Sequence, residues 1–145
     1  MVTTRQATDD DPPFLADVFL RSMRVPVTSA RGFWDEAKER TQFREQLQLP
    51  HTVIIEYKGV SVGFLMTLER GKDIELHTLC ITPEHQGQGL ASAVTRQLLD
   101  DARGRTCGVV LSVLKGNSAA RFLYERFGFA VIGESVHHYH MRIVP

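Results

Sequence analysis

Cysteine is scarce in this sequence, and Cys80 and Cys107 form no Cys-x-x-Cys spacing. Both fall in stretches patterned as strands, where they are expected to act as small buried hydrophobes, not as a redox pair or metal ligands. Net charge is absent as well. Seventeen basic residues balance seventeen acidic ones, so no positive field favours a phosphate backbone and nucleic acid is not an expected partner. No apolar run approaches the length of a membrane span. The first residues carry charge without the apolar core of a signal peptide, so a soluble, cytoplasmic protein with no membrane partner is expected. Repeats, low-complexity tracts and linker-like stretches are also missing. The 145 residues, 43% of them hydrophobic, are therefore read as one domain, 1–145, large enough to bury a core.

The pattern that is present alternates between helix and strand. Val2 to Ala7 reads as a short strand, and Asp9-Asp10-Asp11-Pro12-Pro13 places an Asp cap and first-turn prolines ahead of a helix. Phe14, Leu15, Val18, Phe19 and Ser22 recur at helical spacing, and the helix is predicted to end near Arg24-Val25-Pro26. Arg31 to Leu49 forms a second helical region with Phe33, Trp34, Ala37, Phe43 and Leu47. Its apolar phase slips near Arg40 and Thr41, which predicts one helix or two short ones, with Trp34 as a packing residue. After Pro50 the period becomes two. Thr52 to Tyr57, a Lys58-Gly59 turn and the alternation from Val60 to Leu68 predict an antiparallel hairpin. Arg70-Gly71-Lys72 makes a further turn into a strand from Ile74 to Ile81.

The strand leads into His85-Gln86-Gly87-Gln88-Gly89-Leu90-Ala91, where glycines let backbone N–H groups approach an anion and the following helix adds its positive dipole end. A phosphate-bearing ligand suits such a turn. The Gly-Lys-Ser/Thr ending of a Walker loop is missing, and Ser92 stands where a dinucleotide fingerprint needs Gly or Ala. Leu90, Ala91, Val94 and Leu98 mark the inner face of the helix, which is predicted to stop around Arg103-Gly104. Cys107 to Leu114 is almost continuously apolar, as in a strand covered on both faces. Strand, crossover helix and strand make a right-handed parallel unit, with the glycine turn at the carboxyl end of its first strand. Asn117 then caps a helix carrying Ala120, Leu123, Tyr124 and Phe127. Gly128-Phe129 follows, ahead of a last pair of strands from Ala130 to Val144, so the sheet is mixed.

Gln86-x-x-Gly89-x-Ala91 resembles the pyrophosphate-binding signature of the GNAT superfamily of acetyl-coenzyme A-dependent N-acetyltransferases. Asn117-x-x-Ala120-x-x-x-Tyr124-x-x-x-Gly128-Phe129 resembles that family's second motif, in the expected order. The resemblance implies an α/β (α+β) GNAT fold: a mixed, mostly antiparallel central sheet containing one parallel strand–helix–strand unit, with helices on both faces. It implies acetyl-coenzyme A as cosubstrate and direct transfer to a primary amine in a ternary complex. The backbone at Leu79, Cys80 and Ile81 would pair with the pantetheine arm. Amides from Gln86 through Gly87, Gln88, Gly89 and Leu90 to Ala91 would hold the pyrophosphate, and Asn117 would touch the cofactor arm while also serving as an N-cap.

Tyr124 corresponds to the family's proton donor for the departing thiolate, and Glu75 to a position from which several members deprotonate the amine; His77 stands in reserve. Glu75 is expected to share a strand face with His77, Leu79 and Ile81. His138 and His140 share a face around Tyr139, but without an acidic or cysteine partner nearby no metal is expected. The acceptor would be a small-molecule or peptide amine, and a homodimer is within what the resemblance allows. A non-catalytic acyl-coenzyme A-binding regulatory module of the same fold is the alternative, opposed by the presence of Tyr124. A mononucleotide-binding module rests only on the glycine turn and lacks the Lys and Mg²⁺ ligands it would need.

Overall fold

The computed structural model describes residues 1–145, and its elements run β1 (Val2–Gln6), α1 (Pro12–Arg31), α2 (Glu36–Gln46), β2 (Thr52–Tyr57), β3 (Val60–Arg70), β4 (Asp73–Ile81), α3 (Leu90–Gly104), β5 (Val109–Leu114), α4 (Ser118–Arg126), β6 (Ala130–Glu134) and β7 (His138–Ile143). Seven strands form one sheet in the order β1-β2-β3-β4-β5-β7-β6. All neighbours are antiparallel except β4 and β5. This is the mixed α/β fold expected from the sequence. One core cluster joins Val94, Leu98 and Leu99 of α3 and Tyr124 of α4 to one sheet face. A second joins Leu15, Val18 and Phe43 of α1 and α2 to the other, around the fully buried Phe64. No helix is long and apolar enough to cross a membrane.

Helix α1 departs from expectation at both ends. Asp11 does not cap it forward: its carboxylate turns back to accept from the Thr8 N–H at 2.7 Å and pairs with Arg5 at 2.9 and 3.0 Å. The helix also continues through Pro26 to Arg31, where Gly32 at φ 85° closes it by donating its N–H to Thr28. Proline sacrifices the bond to the Ser22 carbonyl, a loss of about 3 kcal/mol in an isolated helix. Here Val27 is buried beyond it, and the last turn docks at Ser29 and Ala30 against Gly116. Between α1 and α2 the chain breaks at residues 32–35, so Phe33 and Trp34 lie outside any helix. Asp35 caps α2 through Lys38 N at 3.1 Å. Within the region from Arg31 to Leu49 a single helix, α2, runs unbroken through Arg40 and Thr41, so the slip in apolar phase marks no break there.

The feature that shapes the site is a division of the sheet. Strands β4 and β5 pair only at Ile74↔Val109, Glu75↔Val110 and Leu76↔Leu111. Beyond that point β4 stays with β3 as far as Ile81, and β5 stays with β7 as far as Leu114. The closed end is pinned by Asp73, which accepts from Gly108 N at 3.1 Å and from the Arg142 guanidinium at 2.9 and 3.1 Å. A Cβ at Gly108 would come within 2.8 Å of the Asp73 carboxylate, so only glycine admits this clamp. Cys107 lies in the turn before β5, not in the strand.

A β-bulge accompanies the division. Met66 faces Thr78 but Thr67 faces Leu76, which leaves His77 as the extra residue of β4. The bulge reverses the alternation: Ile74 and Leu76 pack in the same cluster as Leu79 and Ile81, while Cys80 belongs to the opposite one. Glu75 therefore does not share a face with Leu79 and Ile81 as a regular strand would require. A one-residue insertion puts it on the Cys80 side.

Candidate functional site

Where the strands part, two cavities meet. One, of about 880 Å³, runs between α1, the end of β4, the glycine turn and α4; the other, of about 470 Å³, lies between α1, α2 and the open halves of β4, β5 and β7. Leu79, Cys80, Asn117 and Tyr124 line both.

The glycine turn supplies an anion seat. Gly87 and Gly89 take φ of 79° and 78°, and a Cβ at either would point into open space. The first bond of α3 runs from Ala93 N to Gly89 O. The N–H groups of Gly89, Leu90, Ala91 and Ser92 therefore have no acceptor within the chain, and they sit at the positive end of a 15-residue helix. Arg21 and Arg126, neither suggested by the sequence pattern, border the same cavity. Arg21 pairs there with Glu84 and, at 3.4 Å, with Asp17. Unpaired amides, open space over the glycines and two guanidinium groups fit the phosphates of a coenzyme A-type ligand.

Of the residues expected to contact the cofactor, Leu79, Cys80, Ile81, Gln86, Gly87, Gly89, Leu90, Ala91 and Asn117 line this cavity and Gln88 does not. Gln86 spends its side chain inside the protein, donating Nε2–H to the Ile81 carbonyl at 3.0 Å. The Ser22 hydroxyl donates to the same oxygen at 2.9 Å. The Ile81 carbonyl is thus already satisfied, which leaves Leu79 and Cys80 as the more available backbone. Asn117 caps α4 by accepting from Ala120 N at 3.2 Å while bordering both cavities.

Tyr124 is buried, with its ring edge-on to Phe129 at 5.5 Å. Burial, together with the nearby Cys80, pushes its phenol above the usual tyrosine range, so the hydroxyl keeps its proton at neutral pH. Burial likewise pushes the Cys80 thiol up to about 12. Such a thiol is almost wholly protonated at pH 7 and a poor nucleophile.

The smaller cavity has a mixed lining, slightly more than half of it hydrophobic residues, and holds several titratable side chains. Glu75 lines it, with an oxygen that accepts from Arg70 Nε at 2.8 Å and from a second nitrogen of the same guanidinium. His77 Nδ1 lies 2.8 Å from Thr78 Oγ1, and His140 Nδ1 lies 2.8 Å from Ser112 Oγ. Burial first, then Arg31, His140 and His137, lower the His138 pKa below the usual histidine value. Glu39 is buried in the same wall and faces Arg31 at 3.4 Å; no local spacing announces this pair. Tyr139 points the other way, beneath the Arg121 guanidinium 4.2 Å from its ring centre. No group of three or more His, Cys, Asp and Glu side chains is brought together as metal ligands would be.

The model of the acetyltransferase (GNAT) family matches residues 18–129. The chain belongs to the GNAT family. It is similar to the N-alpha-acetyltransferase RimI of Mycobacterium tuberculosis, with 36% identity over 98 residues, covering 63% of this chain and 60% of that protein. It is also similar to human N-acetyltransferase 8B, with 37% identity over 76 residues, covering 52% of this chain and 34% of that protein. The matches thus span less than two thirds of these relatives, 60% of one and 34% of the other. Among solved structures, a protein from Pyrococcus horikoshii OT3 superposes with a TM-score of 0.78 at 17% identity, covering 100% of this chain and 99% of that one. The PaiA N-acetyltransferase of Thermoplasma acidophilum, solved with coenzyme A, superposes with a TM-score of 0.74 at 15% identity over 100% and 99% of the two chains. At these identities the structural matches speak for the GNAT fold alone.

Proposed function

We propose that this protein transfers an acetyl group from acetyl-coenzyme A directly to a primary amine, in a ternary complex and without a covalent enzyme intermediate. The observation that carries the proposal is the position of Tyr124. It borders both the cavity with the anion seat and the smaller cavity beside it, so one protonated phenol can serve a reaction between two ligands entering from opposite sides.

In this reading the amides of residues 89–92, with Arg21 and Arg126, hold the phosphates. The open backbone of β4 aligns the pantetheine arm, and the thioester lies where β4 and β5 part. The amine enters through the smaller cavity and attacks the thioester carbon. Tyr124 donates its proton as sulfur departs, so that the leaving group is a thiol. Cys80 is not an acyl carrier in this scheme, because its buried thiol keeps its proton. Glu75 can accept the amine proton only by giving up part of its contact with Arg70.

The acceptor is a small-molecule or peptide amine, and the setting is the cytoplasm. The name of the Mycobacterium tuberculosis relative, and a ribosomal-protein-S18-alanine N-acetyltransferase from Escherichia coli with a TM-score of 0.70 at 21% identity, put a peptide α-amine first among acceptors to try. Binding is tested by thermal denaturation. Acetyl-coenzyme A at a hundredfold excess over its Kd contributes about 2.7 kcal/mol, a rise of roughly 5–10 °C for a chain of this size. ATP and NAD at equal concentration leave the curve in place. An unchanged curve with acetyl-coenzyme A removes the cofactor assignment.

A further inference from the structure

The division of the sheet singles out a pair of side chains that the scheme above leaves unused. Leu76↔Leu111 is the last pair joining β4 to β5, so Ser112 is the first residue of β5 beyond the parting. It is also the one exposed residue in a strand otherwise buried or half-buried. A serine opening onto the smaller cavity at this point is placed beside any thioester held in the gap. Across the antiparallel register Ser112 faces His140 of β7, and the two side chains meet at 2.8 Å.

We propose that Ser112 and His140 form the relay that takes the proton of the acceptor amine, an assignment that rests on the acetyl transfer proposed above. With the imidazole proton on Nε2, the Ser112 hydroxyl donates to Nδ1 and keeps a lone pair turned to the cavity. An incoming R–NH3⁺ passes one proton to Ser112 Oγ as the Ser112 proton moves to His140 Nδ1. The neutral nitrogen then forms the C–N bond to the thioester carbon and the C–S bond breaks. Tyr124 gives its proton to sulfur and is reprotonated by the second proton of the same nitrogen. His140 returns the first proton to solvent, so one amide, one thiol and one proton leave for each ammonium and thioester consumed.

The other candidates are less well disposed. Glu75 is held by Arg70, and His77 by its own neighbour Thr78. His138 lines the same cavity but faces Leu114, two residues further along β5 than Ser112. The charged and titratable groups that line the same cavity are Arg31 from α1, Glu39 from α2, Glu75, His77 and Cys80 from β4, Tyr124 from α4, and His138 beside His140 on β7. Arg31 and Glu39 face each other at 3.4 Å, which offsets their charges.

The test compares Ser112→Ala, His140→Gln, the double variant and Glu75→Gln with wild type, using an amine that wild type acetylates. Melting temperature and acetyl-coenzyme A affinity are expected to stay at wild-type values in the relay variants. At neutral pH, kcat falls about 10²-fold in each single variant, and the double variant is no worse than the poorer single one, because the two act as a unit. The defect narrows as pH rises toward the ammonium pKa of about 10.4, where solution supplies free amine. Nitrogen NMR of the imidazole is expected to show the Nε2–H tautomer in the resting protein.

A wild-type rate and pH profile in Ser112→Ala or His140→Gln, additive losses in the double variant, an acetyl ester on Ser112, or an Nδ1–H tautomer overturns the relay. The same pH effect confined to Glu75→Gln transfers the role to Glu75. If wild type releases no thiol with any amine, it is the transferase reading that fails, and the relay fails with it.

Discussion

Replacing Tyr124 by Phe removes one oxygen from the point where the two cavities meet. The ring stays, and with it the edge-on contact to Phe129 at 5.5 Å and the burial of a side chain only 6% exposed. Stability should therefore move by no more than about 1 kcal/mol, within the range of a single hydrogen bond. The phosphate seat lies at residues 89–92, outside the substitution, so the Kd for acetyl-coenzyme A should stay within about twofold. On the proposed scheme, what is lost is the proton for the departing sulfur, a general-acid contribution of about 10²–10⁴-fold, or roughly 2.7–5.4 kcal/mol of barrier. In that scheme the phenol acts only as the C–S bond breaks, so kcat and kcat/KM should fall together. Steady-state thiol release at saturating amine measures this. A second acetyl donor with a more acidic thiol sharpens it: such a leaving group needs less help, so the deficit should shrink. Full turnover in a folded Tyr124→Phe protein, or an equal deficit with both donors, would return Tyr124 to the role of a packing aromatic.

Two further outcomes probe other levels of the structure. Gly89→Val should weaken coenzyme A binding at least tenfold while the domain remains folded, since a branched residue is strained at φ 78° and its side chain would fill the open space over the turn; unchanged affinity by titration calorimetry would remove the seat. Asp11→Asn should lower stability by about 1–2 kcal/mol at neutral pH, allowing for solvent at the 41% exposed Arg5. Chiefly Arg5 holds the Asp11 carboxyl at about 2, below its unfolded value, so this contribution is complete above about pH 4 and is lost as pH falls toward 2. Urea melts of both proteins across that window should converge at the acid end; parallel curves would show that the pair does not stabilise the fold.

What the sequence disclosed was local in origin. The Lys58-Gly59 turn, with both residues at positive φ, and the glycine turn before α3 are read from short-range backbone demands. The cap at Asn117 is equally local, and so is the apolar run of β5. The parallel unit follows from the handedness of its crossover. What stayed hidden depends on partners distant in the chain. His77 is an ordinary strand residue until β3 supplies one residue fewer opposite it, and that shift moved Glu75 to the other face. Pro26 reads as a stop because its missing N–H is visible in the sequence, whereas the docking of Ser29 on Gly116 is not. Ser112 is a lone polar residue in an apolar run. Its contact with His140 exists only because β7 inserts between β5 and β6. The charged pairs Arg21–Glu84, Arg31–Glu39 and Arg70–Glu75 belong to the same class.

The central claim is that the two cavities serve one reaction. Its most direct test is to follow thiol release from acetyl-coenzyme A in the presence of a panel of amines, peptides with free α-amines first, while weighing the acetylated product in the same samples. The account predicts that thiol and acetylated amine appear in equal amounts, that both depend on enzyme and amine together, and that both fall about 10²–10⁴-fold with Tyr124→Phe. Tight binding of acetyl-coenzyme A without thiol release for any amine would contradict it, and would leave the protein as an acyl-coenzyme A-binding module built on the same fold.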